Sequence, residues 1–185
     1  MTLLVSGLAL FVVLHLIPSV PTLRAGFVAR MGDGPYRGVF SFVALASLVM
    51  VVWGYSAAPF EPVYSPPSWG RHAAMGLVPL ALVLFAAANM PTHIRAVVQH
   101  PMLLGLLVWA LAHLAANGDL RSVALFGTFA GFAVVAAVSA VARGKRPADH
   151  KPPRLALDAA AIVSGTVVAG LLAYFHAALF GMPVI

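Results

Sequence analysis

The sequence predicts an all-α fold: an integral membrane bundle of six transmembrane helices, one domain over residues 1–185, with both termini on the non-cytoplasmic side. Three observations carry this reading. Hydrophobic residues make up 62% of the 185 and charged residues only 9%, which leaves too little polar surface for a water-soluble domain of this length. The apolar residues fall into six runs, each near the roughly 20 residues an α-helix needs to cross a hydrocarbon core about 30 Å thick. The breaks "PSVP", "GDGP", "EPVYSPPSWG" and "MPT" are rich in Pro and Gly and poor in helix formers.

The runs are Thr2–Val20, Val39–Ala57, His72–Met90, Pro101–Asn117, Ser122–Ala142 and Leu155–Leu179. The first has no basic residue before it and no A-x-A site after it, so it reads as a retained helix rather than a signal peptide. The second follows "MGDGPYRGVF", a tight cytoplasmic turn with a basic anchor. The third closes at "MPT". The fourth opens on Pro101, where a first-turn proline is tolerated because its missing N–H would lack a partner anyway. The fifth follows "AANGDLRS", a helix end, a glycine turn and then Asp119 as a cap or first-turn charge. A second reading of that turn has Arg121 and Asp119 holding a propionate or a polar group of a substrate. Gly127 and Gly131 in "GTFAG" form a GxxxG match, to which we give a packing role. The sixth run follows the basic loop "GKRPADHKPPR".

Orientation follows from Lys and Arg. With the first, third and fifth loops in the cytoplasm, that side holds Arg24, Arg30, Arg37, Arg95, Arg143, Lys145, Arg146, Lys151 and Arg154, and the other only Arg71 and Arg121. Tyr64 and Trp69 then lie in the outer second loop, where an aromatic belt belongs. The net charge of +6 is thus a topology signal rather than a nucleic-acid surface. The absence of cysteine excludes disulfides, thiolate metal sites and cysteine nucleophiles. No paired carboxylates, nucleophile–base pattern, phosphate loop or nucleotide fingerprint is present, so ordinary hydrolase or kinase chemistry has no residues to use.

Seven histidines are the main chemical resource. His150 reads as a solvated loop residue, and His72 and His93 as interfacial. His176, near the outer end of the last span, either snorkels or serves as a ligand. His15, His100 and His113 fall within or at the ends of spans, where an ionisable group is costly and calls for a partner. The plain reading is a neutral imidazole bonded to a carbonyl or water. The functional reading is a metal site. His100 and His113 are 13 positions apart on one helix, hence roughly 20 Å, and cannot share an ion. His15, on an antiparallel helix, falls between them in depth, roughly 10 Å from each, so depth does not choose its partner. No carboxylate or thiolate is placed to complete a zinc site. Two imidazoles in apolar surroundings suit axial ligation of haem iron. Trp109, four residues before His113, either packs on a macrocycle or fills the core.

The segment "HPMLLGLLVWALAHLAANGDLRSVALFG" resembles the signature of the NnrU family of bacterial membrane proteins. The likeness continues through "LHLIPSVPTLRAGFVARMGDGPYRGVFS" and "VVWGY", and so covers most of the chain. The family takes its name from denitrification and nitric oxide metabolism. Its plant relatives are the zeta-carotene isomerases, membrane enzymes that carry haem b and convert a cis double bond to trans. The resemblance implies a multi-pass protein of the bacterial inner membrane, with haem b held by His15 and His113. His100, in the family's "HP" pair, is then a second candidate for binding the cofactor, and Trp109 joins it as a candidate on the spacing reading above. Two departures stand out: Ala110 replaces the isomerases' cysteine, and Gln99 replaces the arginine that often precedes "HP". The implied activity is cis–trans isomerisation of a hydrophobic polyene taken from the membrane lipid. The alternative is a haem-bearing sensor, electron-transfer or assembly factor for nitrite or nitric oxide reduction, with nitric oxide as a ligand. A third reading is a structural subunit whose histidines make only interhelical hydrogen bonds.

Overall fold

The computed structural model describes residues 1–144, 152–181 and 184; the expected solvated His150 and the basic residues Lys145, Arg146 and Lys151 lie outside them. The described chain is helical, with a single isolated bridge between Pro62 and Asp119 as its only extended pairing.

Helix α1 spans Thr2–Leu16 and α2 spans Pro21–Met31, separated by a 3₁₀ turn at Ile17–Ser19. The first run therefore ends earlier than the sequence predicts. Pro21 forces Val20 into an extended conformation (φ −113°, ψ 94°) and restarts a helix from N1, so most of the expected first loop is helical. Gly32, at φ 85°, closes α2, and α3 follows as Asp33–Ala57, six residues longer at its start than expected. Asp33 occupies the first turn of α3, where a carboxylate complements the helix dipole, and pairs with Arg37 at 2.6 Å and Arg24 at 3.3 Å. Then come α4 (Gly70–Ala87), α5 (His93–Val98), α6 (Pro101–Ala116), α7 (Leu120–Ala142), α8 (Leu155–Tyr174) and α9 (His176–Phe180).

Among the described residues, five segments are long and apolar enough to cross a membrane: Thr2–Ser19, Asp33–Ala57, Gly70–Ala87, Leu120–Ala142 and Leu155–Tyr174. The sixth apolar helix, α6, has 16 residues and reaches only about 24 Å at 1.5 Å per residue. It is cut short by the turn at Asn117 at one end. At the other stands Gln99, whose φ of 62° makes it the non-glycine residue of positive φ in the described chain. Large apolar side chains face outward along the helices, with Phe42 74%, Trp53 70% and Val138 64% exposed, the pattern of surfaces solvated by lipid.

The helices neighbour one another in the order α3, α1, α7, α6, α4, α8. Within the α1–α3 and α4–α8 pairs the backbones nearly touch: a Cβ on Gly54 would stand 2.3 Å from the Leu4 nitrogen, and one on Gly165 would stand 2.6 Å from the Val83 Cα. The GxxxG pair does not serve this purpose. A Cβ at Gly127 or Gly131 meets nothing within 4 Å, so the close approaches lie at other glycines and the expected packing role is not used among the described residues. Between α1 and α7 the approach is looser and is filled by bulky side chains. Leu4, Leu8, Val51, Ala110, Phe126 and Phe129 form the buried core there, drawn from α1, α3, α6 and α7.

Candidate functional site

The gap between α1 and α7 holds a ladder of aromatic rings. Phe11 packs edge-on against Phe129 and Phe132, at 5.2 and 5.9 Å between centroids, and Trp109 packs against Phe126 and Phe129 at 5.0 and 5.9 Å. An imidazole stands at each end. His15, in the last turn of α1, stacks on Phe11 at 3.9 Å and meets the edges of Phe40 and Phe132. His113, in the last turn of α6, stacks on Phe126 at 4.5 Å, beside Trp109 at 4.9 Å.

Both imidazoles are tethered in the same way. His15 Nδ1 bonds the Phe11 carbonyl at 2.8 Å and His113 Nδ1 bonds the Trp109 carbonyl at 2.8 Å. A carbonyl only accepts, so Nδ1 carries the proton in each ring, and Nε2 of the neutral ring carries the lone pair. This is the arrangement that orients a metal-ligating histidine. It also satisfies the plainer expectation of a neutral imidazole bonded to a backbone carbonyl.

The two rings share no ring neighbour among the described residues; Phe11, Phe129 and Trp109 form the contact path between them. Along α7 they are offset from Phe126 to Phe132, six residues, about 9 Å. His100 is the N-cap residue of α6, thirteen positions before His113 and hence near the level of Ser139 on antiparallel α7. His15 thus lies between the two in depth, as the sequence suggests. His100 Nε2 is buried with no partner among the described residues. Trp109 is packed into the Phe126–Phe129 core, and Ala110 beside it is fully buried.

One end of the bundle is closed by a strap, residues 58–69. Val63 and Tyr64 donate their N–H groups to the Gly118 carbonyl, and Leu120 donates to Glu61. A Cβ at Gly118 would stand 2.0 Å from the Tyr64 oxygen, so glycine is what lets the strap lie flat on the turn. The Tyr64 hydroxyl faces the carbonyls of Leu114 and Asn117 and shares its proton between them. Asn117 Nδ2 donates to the His113 carbonyl at 2.9 Å. These bonds take up the carbonyls left over at the end of α6 and fix the turn that carries His113. Burial and the charge of Asp119 hold the Tyr64 phenol above its usual 10.0. Sequence reasoning placed Tyr64 in an interfacial belt and missed this; the pairing of 61–64 with 118–120 spans more than 50 residues and leaves no local pattern.

Asp119 caps α7, accepting from Ser122 N–H at 3.1 Å and Ser122 Oγ at 2.6 Å, while Tyr55 donates to Ser122 Oγ at 2.8 Å. Arg121 faces Asp119 at 3.3 Å, bonds the Tyr55 and Ala58 carbonyls, and lies over the Tyr55 ring. The cap reading of Asp119 therefore holds, and Arg121 is engaged in closing the strap end. Of the remaining histidines, His93 bonds Asp158 at 2.6 Å, tying α5 to α8, and His72 lies exposed in the first turn of α4. His176 opens α9 and stands within electrostatic reach of His113.

Helical throughout its described residues, with several membrane-length apolar helices, the chain is a membrane-type helical protein. The sequence model of one family, described as NnrU protein, matches residues 3–184, nearly the whole chain, and the chain belongs to that family. No curated protein and no solved structure matches it.

Proposed function

We propose that this NnrU protein is a six-span protein of the bacterial inner membrane, a single domain with both termini outward, that holds haem b between α1 and α7 through His15 and His113. The observation that carries the reading is the shared tether: two imidazoles on separate helices, each with Nδ1–H on a carbonyl and its lone pair on Nε2, at the ends of one apolar aromatic layer. Imidazole nitrogen in apolar walls is the donor chemistry of axial haem ligation. Held by both rings, the group would need the space that Phe11, Phe129 and Trp109 fill between them.

Bound haem supplies a redox-active iron in a water-poor setting. The chain contributes binding through the two Nε2 atoms, orientation through the carbonyl tethers, and exclusion of water by the core around Leu4, Leu8 and Phe129. A hydrophobic polyene delivered laterally from lipid would be the substrate, for cis–trans isomerisation. A second reading is favoured by Ala110: the position is buried and offers no thiolate, so imidazole alone serves the iron. That suits a non-enzymatic sensor, electron-transfer or assembly factor in nitrite or nitric oxide reduction, with nitric oxide as the small ligand.

The first experiment is the optical spectrum of detergent-purified protein, air-oxidised and then dithionite-reduced. A sharp Soret band with resolved low-spin visible bands, lost in His15→Ala and in His113→Ala, is the expected result. A flat wild-type spectrum from cells supplied with haem overturns both readings and leaves the histidines as structural hydrogen-bonders. With haem present, turnover of a cis-carotene under reducing conditions selects the isomerase. Slowed nitrite or nitric oxide consumption in a deletion strain selects the accessory role.

A further inference from the structure

Helix α2 has 11 residues and none of them is buried. A helix shorter than about 12–15 residues does not hold in water on local bonds alone, and burial of an amphipathic face is what ordinarily stabilises one. Gly26 weakens α2 further, since glycine is a poor helix former. A Cβ there meets nothing within 4 Å, so no close approach calls for glycine. The neighbours of α2 in the fold are the 3₁₀ turn before it and α3 after it.

Its surface is nonetheless patterned. At 3.6 residues per turn, Leu23, Phe27 and Met31 form one stripe, and Arg24 and Arg30, three positions to either side of Phe27, flank it at about 60°. The three apolar side chains are 52%, 39% and 40% exposed. Thr22, Ala25 and Ala29 occupy the opposite side. Phe27 stacks on Tyr36 at 6.5 Å and Arg24 lies over that ring at 5.7 Å, which pins the Arg24 edge of the stripe to α3 and leaves the edge with Leu23 and Arg30 outward.

Charge and depth say what covers the stripe. Arg24 and Arg37 share the carboxylate of Asp33, and Arg30 is exposed with no ion pair among the described residues. This corner of the bundle therefore carries net positive charge. Helix α2 begins just after Ser19, where the membrane-length segment Thr2–Ser19 ends, and gives way at Gly32 to the next one, Asp33–Ala57. Both of its ends are thus held at one membrane surface. An apolar stripe flanked by arginines at that level matches the boundary between acyl chains and anionic head groups. The stripe enters the chains, each arginine stem lies along it, and the guanidinium meets a phosphate.

We propose that α2 is an interfacial helix that seats Leu23, Phe27 and Met31 among lipid acyl chains and binds the head groups of anionic phospholipid, Arg30 foremost, with Arg24 and Arg37 adding net positive charge beside it. Anionic lipid is then a specific partner of this chain. The proposal involves no haem and stands apart from the reading above.

The test uses the full-length protein in nanodiscs of phosphatidylcholine, alone or with a rising fraction of phosphatidylglycerol. The sequence contains no cysteine, so Leu23→Cys and Ala25→Cys each accept a single environment-sensitive fluorophore, one on the stripe and one on the opposite side. With phosphatidylglycerol, emission from the Leu23→Cys label should shift to the blue and be quenched by spin-labelled acyl chains, while the Ala25→Cys label stays water-like. Adding Arg30→Gln should raise the phosphatidylglycerol fraction needed for half of that response about fivefold, the weight of one basic side chain at an anionic surface. High salt should weaken the response of the parent in the same direction. Because Arg30 is exposed and unpaired, Arg30→Gln should melt with wild type in detergent. A Leu23→Cys label as wet as the Ala25→Cys label at every lipid composition overturns the proposal. So does a response that is the same with and without phosphatidylglycerol, or the same in Arg30→Gln. A blue shift that spin-labelled chains do not quench means that protein, such as a second copy of this chain, covers the stripe, and it overturns the proposal as well.

Discussion

Replacing Asp119 with alanine gives the clearest test of how the strap end is held. Asp119 is 5% exposed and accepts two hydrogen bonds from Ser122 while facing Arg121. Loss of the N-cap alone costs roughly 1 kcal/mol. The Ser122 hydroxyl is left short of an acceptor, and Arg121 loses the carboxylate it faces, which adds about 1–3 kcal/mol for poorly solvated donors. The Arg121 side chain keeps 21% exposure, so the ionic part is worth less than a fully buried pair would be. The total is about 2–4 kcal/mol, a melting-point drop of roughly 5–15 °C for a chain of this size. Tryptophan fluorescence during a thermal ramp in detergent reads this, and Asp119→Ala combined with Arg121→Met should recover part of the loss because the stranded charge is gone. A single variant that melts within about 2 °C of wild type would refute the account of the strap end as an interdependent polar network.

Other consequences concern backbone contact and pH. Gly54→Ala and Gly118→Ala drive a Cβ into backbone atoms, at 2.3 and 2.0 Å, and should abolish or severely reduce folded yield by size-exclusion chromatography. Gly131→Ala meets open space and should be neutral or stabilising by about 0.5–1 kcal/mol through helix propensity, read as an unchanged or raised melting point. The Tyr64 phenol is held above its usual 10.0, so its contribution is complete below pH 10 and is lost as pH rises through the higher folded value. Between pH 9 and pH 12, the stability gap between wild type and Tyr64→Phe, measured by denaturant titration, should close on the alkaline side. His93→Ala removes the contact with Asp158 and should shift the melting point no more than loss of an ordinary surface ion pair does.

The depth order of the candidate histidines was legible from spacing alone. The 13-residue interval between His100 and His113 forbids a shared ion, and the structure keeps His15 between them in depth. The cap role of Asp119 is equally local, since an N-cap is defined by the three residues that follow it. The aromatic ladder was not legible. Phe11, Phe40, Phe126, Phe129 and Phe132 read as ordinary apolar filler in one dimension, and only the packing of α1, α3, α6 and α7 stacks them around the imidazoles. Nor could the GxxxG match reveal that its helix face would stay open while Gly54 and Gly165 make the close contacts.

The sequence by itself determined the helical class, the position of nearly every apolar helix and the family, because hydropathy and Pro/Gly punctuation act over a few residues of one chain. Tertiary structure alone decided where the first run breaks at Val20, which glycines meet a neighbour, how the strap locks onto the Gly118 turn, and which buried donors remain without an acceptor. Those outcomes depend on which helix faces which. In a chain this uniformly apolar, hydrophobicity says that a helix is buried in something, and only shape and hydrogen-bond complementarity between helices set its neighbours.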